Sequence, residues 1–110
     1  MSGNWQLPLI GTQGTIKNKH PGGKVTYLST NGNIEAGSVV EEVDLFVDDG
    51  SQQWERSDIN KQQYFTLKNP KSGKFLSGPT HSHNTLTIEG TASFLCVIVY
   101  FPCWFQSCVK

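Results

Sequence analysis

The chain has 110 residues, 36% of them hydrophobic and 16% charged, with a formal net charge of zero. A single domain of this size buries a modest core, and its neutral balance creates no overall field to steer it toward nucleic acid or an acidic membrane. Eleven glycines, with many Ser, Thr, Asn and Gln residues, favour turns and short strands over helices.

The N-terminal "MSGNWQLPLIG" has no basic n-region and no long apolar stretch. No secretory signal is expected, so the expected location is cytoplasmic, or outside the cell by signal-independent export. Next, "GTIKNKHPGGKVTYLST" (Gly14 to Thr30) reads as a strand carrying Ile16, a turn at "HPGGK", and a return strand carrying Leu28. "TNGN" follows as a turn. "VEEVDLFV" (Val40 to Val47) alternates, which predicts a strand with Val43, Leu45 and Val47 on one face and Asp44, Phe46 and Asp48 on the other. Eight of the nine acids fall between residues 35 and 58, with Arg56 as the only base there. Such a run predicts a solvated acidic face. "DDGSQ" is a turn. "YFTLK" and "TLTIE" alternate as strands, and "NPKSGK" and "SGPT" both punctuate between them.

The chain repeats itself. "TIKNKHPGGK" and "TLKNPKSGK" match with one inserted residue, pairing Thr15 with Thr66, Ile16 with Leu67, Lys17 with Lys68, Asn18 with Asn69, Gly23 with Gly73 and Lys24 with Lys74. Leu28-Ser29 then matches Leu76-Ser77. Trp5, Trp54 and Trp104 recur at the same period of about fifty residues. In each unit an apolar strand residue points inward, Asn and a Gly-Lys turn reverse the chain, and a Leu returns it to the core. The Gly suits positive φ. One unit cannot bury its apolar face alone, so copies must pack around a shared axis. The expected fold is all-β, a β-trefoil, since two units cannot make a propeller. One domain, 1–110, is expected, with repeat one at about 6–54 and repeat two at about 55–104. At this period a trefoil is incomplete with two of three repeats, which leaves unpaired edges.

"YFTLKNPKSGKFLS" resembles the opening of a repeat in the ricin-type β-trefoil lectins, and "DGSQQW" resembles the Q-x-W close of that repeat. The resemblance covers residues 14 to about 90. It implies a non-catalytic carbohydrate-binding protein whose ligands are galactose or N-acetylgalactosamine conjugates. It also implies that Trp54 is a core residue and that Gln52 braces a turn. The family's sugar pocket uses an Asp after the returning Leu, a mid-repeat aromatic ring, and Asn or Gln beside Q-x-W. A carboxylate accepts sugar hydroxyls, a ring stacks on the pyranose, and an amide bridges a further hydroxyl. Here Ser29 and Ser77 stand where Asp is expected, Val43 falls near the stacking position, and Ser51 replaces the usual Asn. A first-repeat pocket is therefore expected from Phe46, Asp48, Asp49 and Gln52, with His83 and Asn84 from the loop of the second repeat. The alternative function is a protein-binding trefoil, either a protease inhibitor or a scaffold, that makes contact through segment 41–49 or loop 78–85.

No metal and no cofactor is expected. His81 and His83 lie in a loop-like "GPTHSHNT" without a neighbouring carboxylate or Cys, and Asp48-Asp49-Gly50 lacks calcium-loop spacing. No phosphate loop, G-x-S-x-G, H-E-x-x-H or C-x-x-C occurs, and wet carboxylates have no reason for a raised pKa, so no enzyme is expected.

Residues 94–110 change character. Phe94 to Tyr100 is an unbroken apolar run, and Cys96, Cys103 and Cys108 all lie in this tail. The run is too short to span a bilayer. The cysteines read as free thiols. Two readings stay open: the last strands of repeat two, made apolar to bury against something, or a splice or read-through tail. Both predict self-association through the tail.

Overall fold

The computed structural model describes residues 4–58, 65–78, 85–92, 95–97 and 105–107. It is all-β, with no helix among the described residues and eleven strands in chain order. These are β1 (Asn4–Gln6), β2 (Gln13–Gly14), β3 (Lys17–Lys19), β4 (Val25–Ser29), β5 (Val39–Val43), β6 (Trp54–Asp58), β7 (Phe65–Asn69), β8 (Lys74–Ser77), β9 (Leu86–Glu89), β10 (Leu95–Val97) and β11 (Phe105–Ser107). All pairings are antiparallel. The path runs β1-β3-β4-β5-β9-β8-β7-β10-β11, and β6 branches off β7 to reach β2.

That branch makes the sheet turn a corner. Lys68 pairs with Glu55 on one edge of β7 and with Phe75 on the other. Phe65, at the opposite end of β7, pairs with Asp58 and Leu95. One edge of β7 is thus filled by β6 and the other is shared by β8 and β10. Two strands can share one edge only if they diverge, and the curl of the half-barrel follows. In β7, Phe65, Thr66, Leu67 and Asn69 are all buried. Its alternation is consequently lost, as expected for a strand covered on both faces.

The two repeated segments form hairpins of the same register. Lys17 pairs with Tyr27 across β3–β4, and Lys68 pairs with Phe75 across β7–β8. Gly23 and Gly73, the matching turn glycines, both have positive φ. The matching apolar residues Ile16, Leu28, Leu67 and Leu76 join Val40, Trp54, Phe65 and Ile88 in one buried cluster. Trp5, Leu7 and Leu86 pack against its edge. "TNGN" closes with Asn33 N–H on the Thr30 carbonyl at 3.0 Å, and both central residues have positive φ, Asn31 at 55° and Gly32 at 83°. That is the geometry that favours an Asn-Gly pair.

The sequence expectation of a strand over 40–47 is corrected. β5 ends at Val43, and Leu45, Phe46 and Val47 are all exposed. The reason is Gln52. Its Nε2 donates to the Leu45 carbonyl at 3.0 Å, and its Oε1 accepts from Val47 N–H at 3.3 Å. The two backbone groups are tied to a side chain and no longer to a neighbouring strand.

In the tail, β10 and β11 form an antiparallel hairpin, and Leu95 joins β7 at Phe65. Cys103, Trp104 and Cys108 lie outside the described residues, so their expected roles do as well.

Gly78 shows how tightly the second unit is closed. It has a φ of +86°, and a Cβ placed there would lie 2.8 Å from the Thr85 carbonyl oxygen. Gly78→Ala is expected to cost about 2–3 kcal/mol, as left-handed backbone strain and a clash with main chain act together. Gly37→Ala is the control. Its φ is +89° with nothing within 4 Å, so it meets the strain alone. Urea unfolding of the two variants checks this, and equal midpoints would reject the contact at Gly78.

Candidate functional site

The candidate site is the braced loop between β5 and β6, together with the outer face of the β3–β4–β5 sheet. Gln52 is buried, with 2% exposure, and spans the loop from inside. It holds Leu45 and Val47 by their main chains, which leaves the side chains between them facing water. Phe46 is 45% exposed. Its ring lies 5.7 Å from that of Tyr27, tilted by 58°. Tyr27 pairs with Lys17 on one side and Val43 on the other, and it is half-buried while its neighbours Thr26 and Leu28 are buried, so it stands on the outer face. The two rings form a half-open ledge in a favourable tilted geometry.

The second turn of the loop is also clasped. Asp49 Oδ1 accepts from the Ser51 hydroxyl at 2.5 Å and from Ser51 N–H at 2.9 Å. The hydroxyl bond first, then the backbone bond, hold the Asp49 carboxyl below the ordinary aspartate range; desolvation opposes them, and the Lys71 charge adds to the lowering. A carboxyl lowered in this way supports the turn above its ordinary titration range. That support is lost as pH falls through the lowered value. Below the turn, Asn69 Nδ2 donates to the carbonyls of Gly50 and Gln53, both at 2.9 Å. Lys71 lies over Gly50, within 3.1 Å of where a Cβ would stand.

Most carboxylates of β5 and of the loop after it already have a partner. Glu41 accepts from Asn31 Nδ2 at 3.0 Å. Glu42 Oε1 accepts from the Thr26 hydroxyl at 2.5 Å and from Asn18 Nδ2 at 3.4 Å, with His20 Nε2 at 3.1 Å. Asp44 faces Lys24 at 3.9 Å. Asp48 is exposed.

Of the residues expected at the site, Phe46, Asp48, Asp49 and Gln52 do come together on one loop. Their parts differ. Phe46 and Asp48 face solvent, whereas the Asp49 carboxylate is engaged with Ser51 and the Gln52 amide with main chain. His83 and Asn84 lie outside the described residues. Gly23, Gly73, Asn18, Asn69, Gln52 and Trp54 occupy turn, buried and core positions. Tyr27 was missed in the sequence. The signal was the pairing of two strands, which places Tyr27 beside Val43, three residues before Phe46. The cluster of His20, Thr26 and Glu42 was missed because its members come from the turn after β3 and from two different strands.

Among the described residues no group of three or more His, Cys, Asp or Glu could hold a metal ion. Among the described residues no helix is long and apolar enough to cross a membrane. Comparison with protein-family models, with curated proteins and with solved structures finds no match.

Proposed function

We propose that the protein is a non-catalytic carbohydrate-binding module built on two units of a β-trefoil, and that the Tyr27–Phe46 ledge holds the sugar. The observation that carries this is the Gln52 brace. It fixes the main chain on both sides of Phe46 and so presents a half-exposed ring, backed by a second ring, with Asp44 and Asp48 two positions away along the chain. A pyranose offers an apolar C–H face for a ring and hydroxyls for carboxylates, which matches those groups. Fixing the ring beforehand reduces the ordering cost of binding. The trefoil reading is supported by the matched register and matched core positions of the two hairpins.

The test is binding of the folded full chain to an array of neutral, acetylated, acidic and amino sugars. Galactose and N-acetylgalactosamine conjugates are included. Phe46→Ala is expected to weaken binding about tenfold with no loss of fold, because the ring is half-exposed. If a folded sample binds no saccharide, the reading is wrong.

A second reading, a protein-binding module, is favoured by the neighbours of Phe46. Leu45 and Val47 are 70% and 42% exposed, aliphatic area that a sugar does not need. Stoichiometric inhibition of a serine or cysteine protease, or capture of a protein partner that Leu45→Ser abolishes, would support it.

A further inference from the structure

We propose that Asn31 is a site of spontaneous covalent modification, where the exposed Asn31-Gly32 turn deamidates to aspartate and isoaspartate and so releases the turn from β5. The proposal is independent of the carbohydrate reading.

Asn31-Gly32 is the single Asn-Gly pair in the chain. Both residues are exposed, and both have positive φ. The Gly32 N–H makes no hydrogen bond among the described residues, because the turn is closed one residue later, by Asn33 N–H on the Thr30 carbonyl. A Cβ placed at Gly32 would meet nothing within 4 Å, so the turn is uncrowded there. The Asn31 amide is held by one exposed contact, from Nδ2 to the Glu41 carboxylate at 3.0 Å. A single exposed hydrogen bond is readily exchanged for water. The released side chain then swings back over its own peptide toward the Gly32 nitrogen, and glycine sets no side chain in the way.

The reaction needs only hydroxide and water. Hydroxide takes the Gly32 amide proton, and the nitrogen attacks Asn31 Cγ. The N–Cγ bond forms, the Cγ–Nδ2 bond breaks, and ammonia leaves with a proton drawn from water. Water next opens the cyclic imide. Addition at Cγ gives aspartate. Addition at the main-chain carbonyl carbon gives isoaspartate, with the chain routed through the side chain.

Other positions lack one requirement or another. Asn69 precedes Pro70, which has no N–H. Asn18 is buried. Asn33 precedes the β-branched Ile34, which crowds ring closure. Asp49-Gly50 has the right spacing, but the Asp49 carboxylate is clasped by Ser51 and is a poor electrophile.

The product replaces a donor to Glu41 by a second carboxylate, and like charges so placed repel. The change falls at the end of the β4–β5 pairing. Ser29 pairs with Glu41 there, and Asn31 N–H donates to Ser29 Oγ at 3.0 Å.

The experiment is incubation of the folded full chain in neutral and in mildly alkaline buffer, followed by tryptic mass spectrometry. Tryptic peptide 25–56 carries both Asn31 and Asn33, and fragment ions tell them apart. Amide loss is expected at Asn31 and not at Asn33, faster at the higher pH, with isoaspartate detected by methyltransferase labelling. Asn31→Gln is expected to abolish it. Asn31→Asp, which imitates one product, is expected to lower the urea midpoint, and Glu41→Gln added to it is expected to restore part of the loss. An intact Asn31 over a period in which a synthetic peptide of the same sequence converts overturns the proposal. Conversion only in urea, or equal conversion at Asn31 and Asn33, overturns it as well. An unchanged midpoint for Asn31→Asp overturns the release from β5.

Discussion

Replacing Trp54 by alanine is expected to remove about 3–5 kcal/mol of stability, a large share of what a domain of this size possesses. Trp54 has 0% exposure and lies in the same buried cluster as Ile16 and Leu28 of the first hairpin and Leu67 and Leu76 of the second. Its indole fills the space between the repeated units. Its Nε1 donates to the Leu28 carbonyl at 3.2 Å. Truncation leaves a cavity that neither hairpin can collapse into, because each is held by its own register. It also leaves that carbonyl without its indole donor. Trp54→Phe separates the two effects. It keeps most of the volume and loses the donor, and about 1–2 kcal/mol is expected. Urea midpoints measured on both variants check the pair. A Trp54→Ala shift worth less than about 1 kcal/mol would mean that the units do not pack through this residue.

Asn69→Ala is the second large effect, about 3 kcal/mol, although it removes little apolar area. Asn69 has 0% exposure, and its amide does three things. Nδ2 donates to Gly50 and Gln53 carbonyls, and Oδ1 accepts from Ser72 N–H at 2.9 Å. The side chain thus shapes its own turn and fastens the β5–β6 loop to it. Alanine leaves three part-buried main-chain groups without these bonds. Asn69→Asp keeps the acceptor for Ser72 but sets a carboxylate against two carbonyls, and is expected to destabilise at least as much. Hydrogen exchange at Gly50 to Gln53 should rise in both variants, and ligand affinity should fall with it because the loop carries Phe46. Unchanged exchange there would show that Asn69 does not hold the loop.

Both residues could be picked out in the sequence as members of a repeat. Trp54 sat at the fifty-residue period, and Asn69 matched Asn18. The turns were equally legible. Gly23, Gly73 and the Asn31-Gly32 pair stand where local sterics require positive φ, and such requirements involve only neighbouring residues. The apolar positions Ile16, Leu28, Leu67 and Leu76 were read from local pattern and are buried, because a strand residue between turns has few other ways to leave water.

The site was less legible. Alternation carried the predicted strand on to Val47, but the alternating pattern contains no information about a glutamine five residues later. Gln52 stops the strand by a contact that only a folded loop can make. Asp49 had been expected to face a ligand, and its carboxylate is engaged with Ser51.

Periodicity and turn chemistry are short-range, so the chain alone specified an all-β protein with two like hairpins and a polar, acidic middle. The company each side chain keeps is long-range. Tyr27 meets Phe46, nineteen positions further along the chain, because strand register puts it next to Val43. Asn69 reaches back to Gly50 because the second turn folds beneath the β5–β6 loop. Such meetings depend on how strands are ordered in the sheet, and folding alone brought two rings distant in the chain into a single ledge.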